Sequence, residues 1–318
     1  MGYFDRKAEL ADKARKHTGY VANNFREEIL NSIKSTYIVD DENVNPHEQI
    51  ADWKINLEVW NADSVSAARI LSERNTINDA NISILNFASY KNPGGMFING
   101  SSAQEECLCH ESTLYNVLAA FDNDYYEWNR HHLNKSLYIN RALVSPGILF
   151  LKDTNMVKDP TNFYATVITC AAPNFGPGSM YGHVTPEENS EVLNSRVKFV
   201  LDVASMACTD YLVLGAWGCG VFKQNPYEVA ELFKKNLICS KYSFKKVVFA
   251  VPAGNENYVA FKKVFKGLET NDWTLFMRLI MNEQICYCAG EIDNKIDNTG
   301  LTNFKYHEAL EILGGKLD

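Results

Sequence analysis

The chain has 318 residues, of which 46% are hydrophobic, and this composition suits one large folded domain with or without extensions. The formal net charge of −8 argues against a nucleic-acid-binding protein, because such proteins present a basic face. The sequence has no long apolar run of the transmembrane type and no apolar signal-peptide segment after Met1. We therefore expect no membrane partner and a cytoplasmic protein, with a nuclear location also open.

The chain has eight cysteines, and most of them lie within apolar segments. This distribution indicates buried, reduced thiols of a cytosolic protein. Cys107 and Cys109, together with Cys286 and Cys288, could be read as a zinc site. Their spacing is not the usual C-x₂₋₄-C, and no cluster of histidines accompanies them. We therefore predict no metal ion, and we expect no cofactor.

The first 50 residues predict a helical extension. Residues 3–36 suit two helices separated around His17–Gly19, and the polar residues 37–54 predict a connector. At the other end, residues 268–318 predict a second extension, packed on the core. The core domain is expected to span residues 51–267.

Strands alternate with helices along this core. Strands are predicted at residues 55–60, 82–88, 137–140, 148–152, 165–171, 211–216 and 247–251. Helices are predicted at residues 64–74, 104–121, 186–207, 226–238 and 255–265, with Asp63 and Asn225 as N-caps. Residues 122–136 suit an insertion, and residues 174–178 suit a loop. The alternation predicts a three-layer α/β sandwich with ligand loops at the carboxyl ends of the strands.

A glycine loop followed by two carboxylates is the most informative stretch of the sequence. It runs from Asn92-Pro93-Gly94-Gly95-Met96 to Gln104-Glu105-Glu106. Ser102 and Glu105 have the spacing of a capping box, which places the carboxylates on the first turn of a helix. A glycine loop beside a helix N-terminus can bind phosphates through backbone N–H groups.

These residues resemble the catalytic loop of the bacterial-type poly(ADP-ribose) glycohydrolases, which are macrodomain enzymes. Further matches are Asn86-Phe87-Ala88, Ile168–Asn174 and Leu214–Phe222, and together they follow the family's order over residues 50–265. The resemblance implies a macrodomain-type α/β/α sandwich with helical extensions at both termini. It also implies hydrolysis of the ribose–ribose O-glycosidic bond of poly(ADP-ribose), with release of ADP-ribose.

The resemblance implies a general acid/base role for Glu106, while Glu105 could position the substrate or serve the capping box. Without the neighbouring loop, Glu106 would be read as a carboxylate that favours the helix dipole. Phe222 could pack on a ribose or the adenine, or belong to the core, and Cys219 suits a small apolar filler. The residues expected to contact the substrate are Gln104, Asn86, Asn92, Gly94, Gly95, Met96, Gly215, Gly218, Cys219, Gly220, Val221 and Phe222.

The loop departs from the family pattern at Met96, where the family has a third glycine. If this position needs a positive φ, a methionine costs about 1–2 kcal/mol. Two alternatives therefore stay open: an ADP-ribose-binding reader with weak or no catalysis, and a hydrolase of mono-ADP-ribosyl groups. In each case the expected partner is ADP-ribose or poly(ADP-ribose), free or attached to a protein.

Overall fold

The computed structural model describes residues 3–47, 55–74, 80–151, 162–239 and 242–268. The predicted C-terminal extension, apart from Leu268, lies outside the described residues. Within these ranges the α-helices are α1 (Tyr3–Asn24), α2 (Arg26–Ser35), α3 (Ser64–Arg74), α4 (Gln104–His110), α5 (Leu114–Ala119), α6 (Trp128–His131), α7 (Phe175–Tyr181), α8 (Pro186–Met206), α9 (Pro226–Cys239) and α10 (Glu256–Val264). The strands are β1 (Tyr37–Asp40), β2 (Asn56–Trp60), β3 (Ile82–Phe87), β4 (Arg141–Phe150), β5 (Phe163–Cys170), β6 (Tyr211–Leu214) and β7 (Lys246–Ala250).

The seven strands form one mixed sheet in the order β1-β4-β5-β3-β6-β7-β2. β4 pairs antiparallel with both β1 and β5, and every other neighbouring pair is parallel. The carboxyl ends of β5, β3, β6, β7 and β2 therefore meet at one edge. In open sheets of this kind the loops at that edge form the ligand site.

Both faces of the sheet are covered by apolar side chains. In β7, Val247 and Phe249 belong to one buried cluster, while Val248 and Ala250 belong to the other. The first cluster includes side chains of α8, α9 and α10, and the second includes side chains of α1, α3 and α5. Burial of one large aliphatic or aromatic side chain contributes about 1.5–3 kcal/mol, so both faces stabilise the sheet.

The predicted interruption of the first helix at His17–Gly19 is wrong. α1 continues to Asn24 because its polar residues are satisfied inside the fold. The buried His17 Nε2 donates to Ser112 O at 2.8 Å, and Thr18 Oγ1 donates to Ala14 O at 2.9 Å. The prediction of a connector at residues 37–54 is also wrong in part, because β1 extends the main sheet beside β4.

Of the strands predicted at 137–140 and 148–152, the first is wrong and the second is confirmed as far as Phe150. One strand, β4, runs through Ser145-Pro146-Gly147. A shift in the β4–β5 register between Ser145 and Ile148 accommodates these residues. Gly147 has φ +70°, which suits the irregular position. Residues 137–140 instead lead into β4, with Tyr138 at φ +63°. The predicted loop at 174–178 is wrong as well, since α7 occupies it.

The helix predicted over residues 104–121 is divided into α4 and α5. Ser112 Oγ donates to Leu108 O at 2.6 Å and accepts from Leu114 N–H at 3.1 Å, so it closes one helix and opens the next. The insertion predicted at 122–136 begins with a π-helical turn, Asp122–Glu127, followed by α6. Tyr125 and Tyr126 in that turn are fully buried, so the segment is part of the core.

Candidate active site

A cleft of about 730 Å³ opens at the carboxyl ends of the parallel strands. Its walls are the segments that follow β3, β5, β6 and β7, together with the first turn of α4. The cleft therefore lies where the topology of the sheet places a ligand site. Its wall brings together the two glycine segments that the sequence singled out.

The first glycine turn needs both of its glycines. Gly94 and Gly95 have φ values of +64° and +62°, where a side chain is strained. A Cβ on Gly94 would lie 2.7 Å from Tyr115 Cδ2. A Cβ on Gly95 would lie 2.7 Å from Glu106 Oε1 and 2.9 Å from Glu105 Oε2. Gly95 therefore lets the loop backbone lie directly against both carboxyl groups.

Glu106 lies on the first turn of α4, and its side chain is buried although it lines the cleft. Oε1 accepts a hydrogen bond from the Met96 N–H at 2.9 Å. Oε2 has no hydrogen-bond partner among the described residues. A buried carboxylate oxygen without a partner is unfavourable, so Oε2 is the oxygen that a ligand or a water molecule would satisfy.

In contrast to those of Glu106, both carboxyl oxygens of Glu105 accept hydrogen bonds within the protein. Its Oε2 accepts from Ser89 N–H at 2.6 Å, and its Oε1 accepts from Asn86 Nδ2 at 3.2 Å. The predicted capping box of Ser102 and Glu105 is wrong, because Ala103 is the N-cap and makes no side-chain cap. The Glu105 side chain instead bonds to the end of β3 and the segment after it, where it supports the cleft wall.

The pKa of Glu105 is raised to about 8, and the largest cause is burial of its carboxyl group. The hydrogen bonds from Ser89 and Asn86 lower the pKa, and the charge of Glu106 raises it. At neutral pH the carboxyl group of Glu105 therefore holds a proton.

Gln104 ties α4 to the end of β3. Its Oε1 accepts from Phe87 N–H at 2.8 Å, and its Nε2 donates to Leu85 O at 2.9 Å and Ser64 Oγ at 3.1 Å. Asn86 lies below the cleft wall, where its Nδ2 donates to Glu105 and Thr169. The Gln104 amide and Asn86 Nδ2 thus already bond within the protein, whereas Asn86 Oδ1 has no partner among the described residues. Their substrate contacts stay a prediction.

Met96 does not occupy a glycine conformation. Its φ is −109°, so the backbone is unstrained for a residue with a side chain. Its N–H bonds Glu106, and its half-exposed side chain lines the cleft beside Asn92. The cost set out for a positive φ therefore does not arise at Met96, because the left-handed residues of the turn are Gly94 and Gly95.

The second glycine segment follows β6 and presents backbone donors. Gly218 has φ +77°, and a Cβ there would lie 2.8 Å from Ala172 Cβ. Within the part of the chain that the structure describes, the N–H groups of Gly218, Gly220, Val221 and Phe222 have no acceptor in the protein. Consecutive free N–H groups at a cleft wall can bind an anion.

Gly215 and Cys219 do not line the cleft. A Cβ on Gly215 would lie 2.7 Å from Ala250 O, so this glycine allows β6 and β7 to approach. Burial raises the pKa of Cys219 to about 12, and its Sγ bonds Trp217 O at 3.6 Å. Cys219 therefore suits the small packing role expected from the sequence rather than a nucleophile.

Three of the aromatic rings that line the cleft, Tyr90, Tyr138 and Phe222, form one cluster. Tyr90 stacks on Tyr138 with ring centroids 4.1 Å apart, and Phe222 meets Tyr138 edge-on at 6.1 Å. Of these three, only Phe222 was predicted from the sequence, and Tyr138 lies in a segment that predicts a strand. Tyr90 follows β3 directly, so its position after the predicted strand was the signal that could have found it.

Asp63 is the N-terminal cap of α3, as predicted, and its Oδ1 accepts from Ser66 N–H at 2.8 Å. Cys107, Cys109, Cys170, Cys208 and Cys219 are free; Cys109 and Cys170 are buried as expected, whereas Cys107 and Cys208 are exposed. Cys286 and Cys288 lie outside the described residues.

Among the described residues, no three His, Cys, Asp or Glu side chains form a metal-binding group. No helix in the described ranges has the length and apolarity needed to cross a membrane.

The family model of the microbial-type poly(ADP-ribose) glycohydrolase (PARG) catalytic domain matches residues 9–153. The structure is similar to PARG from Thermomonospora curvata, with a TM-score of 0.72 and 27% identity over 81% of this chain and 100% of that chain. The same protein bound to the inhibitor ADP-HPD gives a TM-score of 0.69 and 27% identity over 80% of this chain and 99% of that chain. PARG from Deinococcus radiodurans in complex with ADP-ribose is 31% identical, with a TM-score of 0.67 over 76% of this chain and 98% of that chain. No curated protein sequence matches this chain.

Proposed function

The chain belongs to the microbial-type poly(ADP-ribose) glycohydrolases, and we propose that Glu106 is the general acid and base with which it hydrolyses poly(ADP-ribose). The enzyme is a glycosidase that releases ADP-ribose. One observation carries the assignment of Glu106: its Oε2 is a buried carboxylate oxygen, without a protein partner among the described residues, at the wall of the cleft. Such an oxygen is free to bond the scissile group of a ligand.

The diphosphate of ADP-ribose would lie between the two glycine segments. The free N–H groups of Gly218, Gly220 and Val221 supply hydrogen bonds to phosphate oxygens. Backbone donors bind anions without a net positive surface, which is compatible with the net charge of −8. The rings of Tyr90, Tyr138 and Phe222 supply a wall for a ribose or the adenine.

The scissile bond joins the anomeric carbon of one ribose to a hydroxyl oxygen of the next. Its cleavage develops oxocarbenium character on the sugar. Glu106, protonated, donates its proton to the leaving oxygen, and its carboxylate then takes a proton from the attacking water. The bound diphosphate favours the positive charge on the sugar, so one carboxylate serves both steps.

Glu105 has a different part in this scheme. Both of its oxygens already accept hydrogen bonds from Ser89 and Asn86, so they are poorly placed to exchange protons with a substrate. Its raised pKa keeps Glu105 protonated near neutral pH. We propose that Glu105 holds the segment after β3 in place. Its protonated carboxyl group is also a neutral neighbour for Glu106.

The reader alternative drew its support from Met96. With φ at −109° and its N–H bonded to Glu106, this residue is compatible with a working loop. The mono-ADP-ribosyl alternative concerns the leaving group, which would lie outside the ADP-ribose portion of the cleft. No contact in the cleft favours that second alternative over the polymer.

We also propose a macrodomain-type three-layer sandwich, supported by the apolar clusters on both faces of the sheet. The proposed partner is ADP-ribose or its polymer, free or attached to a protein. A cytoplasmic location remains part of the proposal, supported by the free thiols of the described cysteines.

The test is incubation of the protein with purified poly(ADP-ribose), with release of ADP-ribose followed by chromatography. We expect release by the wild type and loss of release in Glu106→Gln, with ADP-ribose binding retained. Binding of ADP-ribose without release would support the reader alternative. Release only from a mono-ADP-ribosylated protein would support the second alternative.

A further inference from the structure

A buried arginine lies behind the cleft and has no part in the steps above. Arg196, on α8, is 1% exposed. Its Nη1 donates to Ala171 O at 2.6 Å and its Nη2 to Leu137 O at 3.3 Å, while its Nε donates to Asn140 Oδ1. A guanidinium stays protonated at every pH at which the protein is folded. A full positive charge therefore lies within the fold.

This charge is not neutralised by direct pairing. Among the described residues, the acceptors of Arg196 are two carbonyl oxygens and one amide oxygen, and no carboxylate pairs with it. The carboxylate that acts on it is Asp41, which is reached through Asn140: Asn140 Nδ2 donates to Asp41 Oδ1 at 2.9 Å. Buried unpaired cations are unfavourable, so this arrangement invites a functional explanation.

The guanidinium is joined to the cleft by one peptide unit. The carbonyl of Ala171 and the N–H of Ala172 belong to the same planar trans peptide, in which they point in opposite directions. Ala172 lines the cleft, and within the described residues its N–H has no acceptor. A Cβ on Gly218 would touch Ala172 Cβ, so this N–H belongs to the wall beside the second glycine segment.

The charges that line the cleft make a cation behind it useful. Three acidic side chains, Asp63, Glu105 and Glu106, line the cleft, against one basic side chain, Lys91. A diphosphate carries negative charge, so the ionised carboxylates among these groups oppose its entry. Backbone N–H groups must therefore supply the attraction, and a cation at the carbonyl end of a peptide strengthens the N–H at its other end.

We propose that Arg196 is a positioning residue that fixes and polarises the Ala171–Ala172 peptide, so that Ala172 N–H donates a hydrogen bond to a phosphate oxygen of the ligand. The inference rests on the proposed function, because it takes the ligand to be ADP-ribose. The arginine acts from behind the wall and touches neither the substrate nor the reacting atoms. It contributes to binding of the diphosphate both before and during bond cleavage.

The test compares Arg196→Lys with Arg196→Met, which both lose the planar fork but differ in charge. We expect Arg196→Met to weaken ADP-ribose binding about tenfold or more by calorimetry, and Arg196→Lys to weaken it less than about threefold. In hydrolysis of poly(ADP-ribose), KM should rise in parallel while kcat stays within about twofold, because the contact is equal in ground and transition states. Thermal denaturation of both variants measures their structural effect separately.

Equal losses of affinity in the two variants, or no loss in either, would overturn the proposal and leave Arg196 a structural residue.

If the Arg196 variants do not fold, the double variant Asp41→Asn with Asn140→Asp tests the proposal instead. This exchange places the carboxylate at position 140, where it contacts the guanidinium, and leaves the net charge unchanged. Asp41→Asn alone is its control. We expect the exchange to weaken ADP-ribose binding at least about fivefold relative to the control, and equal affinities would overturn the proposal. Failure of the wild type to bind ADP-ribose would instead contradict the proposed function.

Discussion

The N–H of Met96 donates a 2.9 Å hydrogen bond to Oε1 of Glu106. This bond joins the glycine turn to the first turn of α4 and fixes one oxygen of the carboxyl group. The other oxygen is left at the cleft wall without a partner among the described residues. The loop thus determines which oxygen of Glu106 is left without a protein partner among the described residues.

Glu106→Gln should abolish turnover and keep ligand binding. The amide cannot donate and then accept the proton, and loss of a general acid lowers rates about 10²–10⁴-fold. The measurement is kcat for poly(ADP-ribose) beside the Kd for ADP-ribose. Glu111→Gln is a suitable control, because it removes a nearby carboxylate that does not line the cleft. An unchanged kcat in Glu106→Gln would assign the proton transfer to another group.

Gly95→Ala should inactivate the enzyme. The new Cβ would lie 2.7 Å from Glu106 Oε1 and 2.9 Å from Glu105 Oε2, so the turn and the carboxyl groups must separate. The positive φ adds about 1–2 kcal/mol of strain. Gly147→Ala is a matched control with φ +70° and no atom within 4 Å of its Cβ. We expect both variants to lose stability and only Gly95→Ala to lose kcat/KM, and equal activities would contradict the contact.

Met96→Gly should lower activity modestly. Since the backbone at this position is already unstrained, a glycine adds only flexibility, with a cost of about 0.5–1 kcal/mol and thus about a two- to fivefold loss in kcat/KM. Met96→Ala removes the side chain without that flexibility and should stay near the wild-type rate. A rate increase in both variants would show that the methionine side chain obstructs the ligand.

Stability should fall as the pH rises from about 4.5 to 8. The pKa of Glu105 is raised in the folded protein to about 8 from an ordinary value of 4.5, so the folded state holds a proton that the unfolded state releases. The contribution is complete below the unfolded pKa and is lost as the pH passes the folded one. Glu105→Gln, which is neutral throughout, should show a weaker decline of Tm over this range. A steeper decline in the variant would contradict the raised pKa.

The sheet and the cleft could largely be predicted, because strands such as β3 and β7 are apolar runs bounded by polar turns. Asp63 was also found, since helix caps are local. The errors have tertiary causes. Ser102 suits a cap by spacing, but the partner side chain of Glu105 is bound by Ser89 and Asn86 instead. Local spacing carries no information about such contacts.

The aromatic wall shows the same limit. Tyr138 has φ +63°, a conformation that residues other than glycine rarely adopt. Because the sequence does not indicate such a conformation, the segment was predicted as a strand. β1 was missed because four residues, Tyr37–Asp40, are too few to show alternation. Arg196 gave no signal at all, since a charged residue on a long helix is normally solvent-exposed.

Gln104 bonds both the N–H of Phe87 and the carbonyl of Leu85, and it therefore fixes α4 in register with β3. A helix held in this way cannot slide or rotate when a ligand arrives. In the proposed reaction the two carboxyl groups would then be preorganised, and little reorganisation energy would be spent on them. Tyr138 and Phe222 line the cleft from other segments of the chain, so substitutions there would change ligand contacts without moving α4.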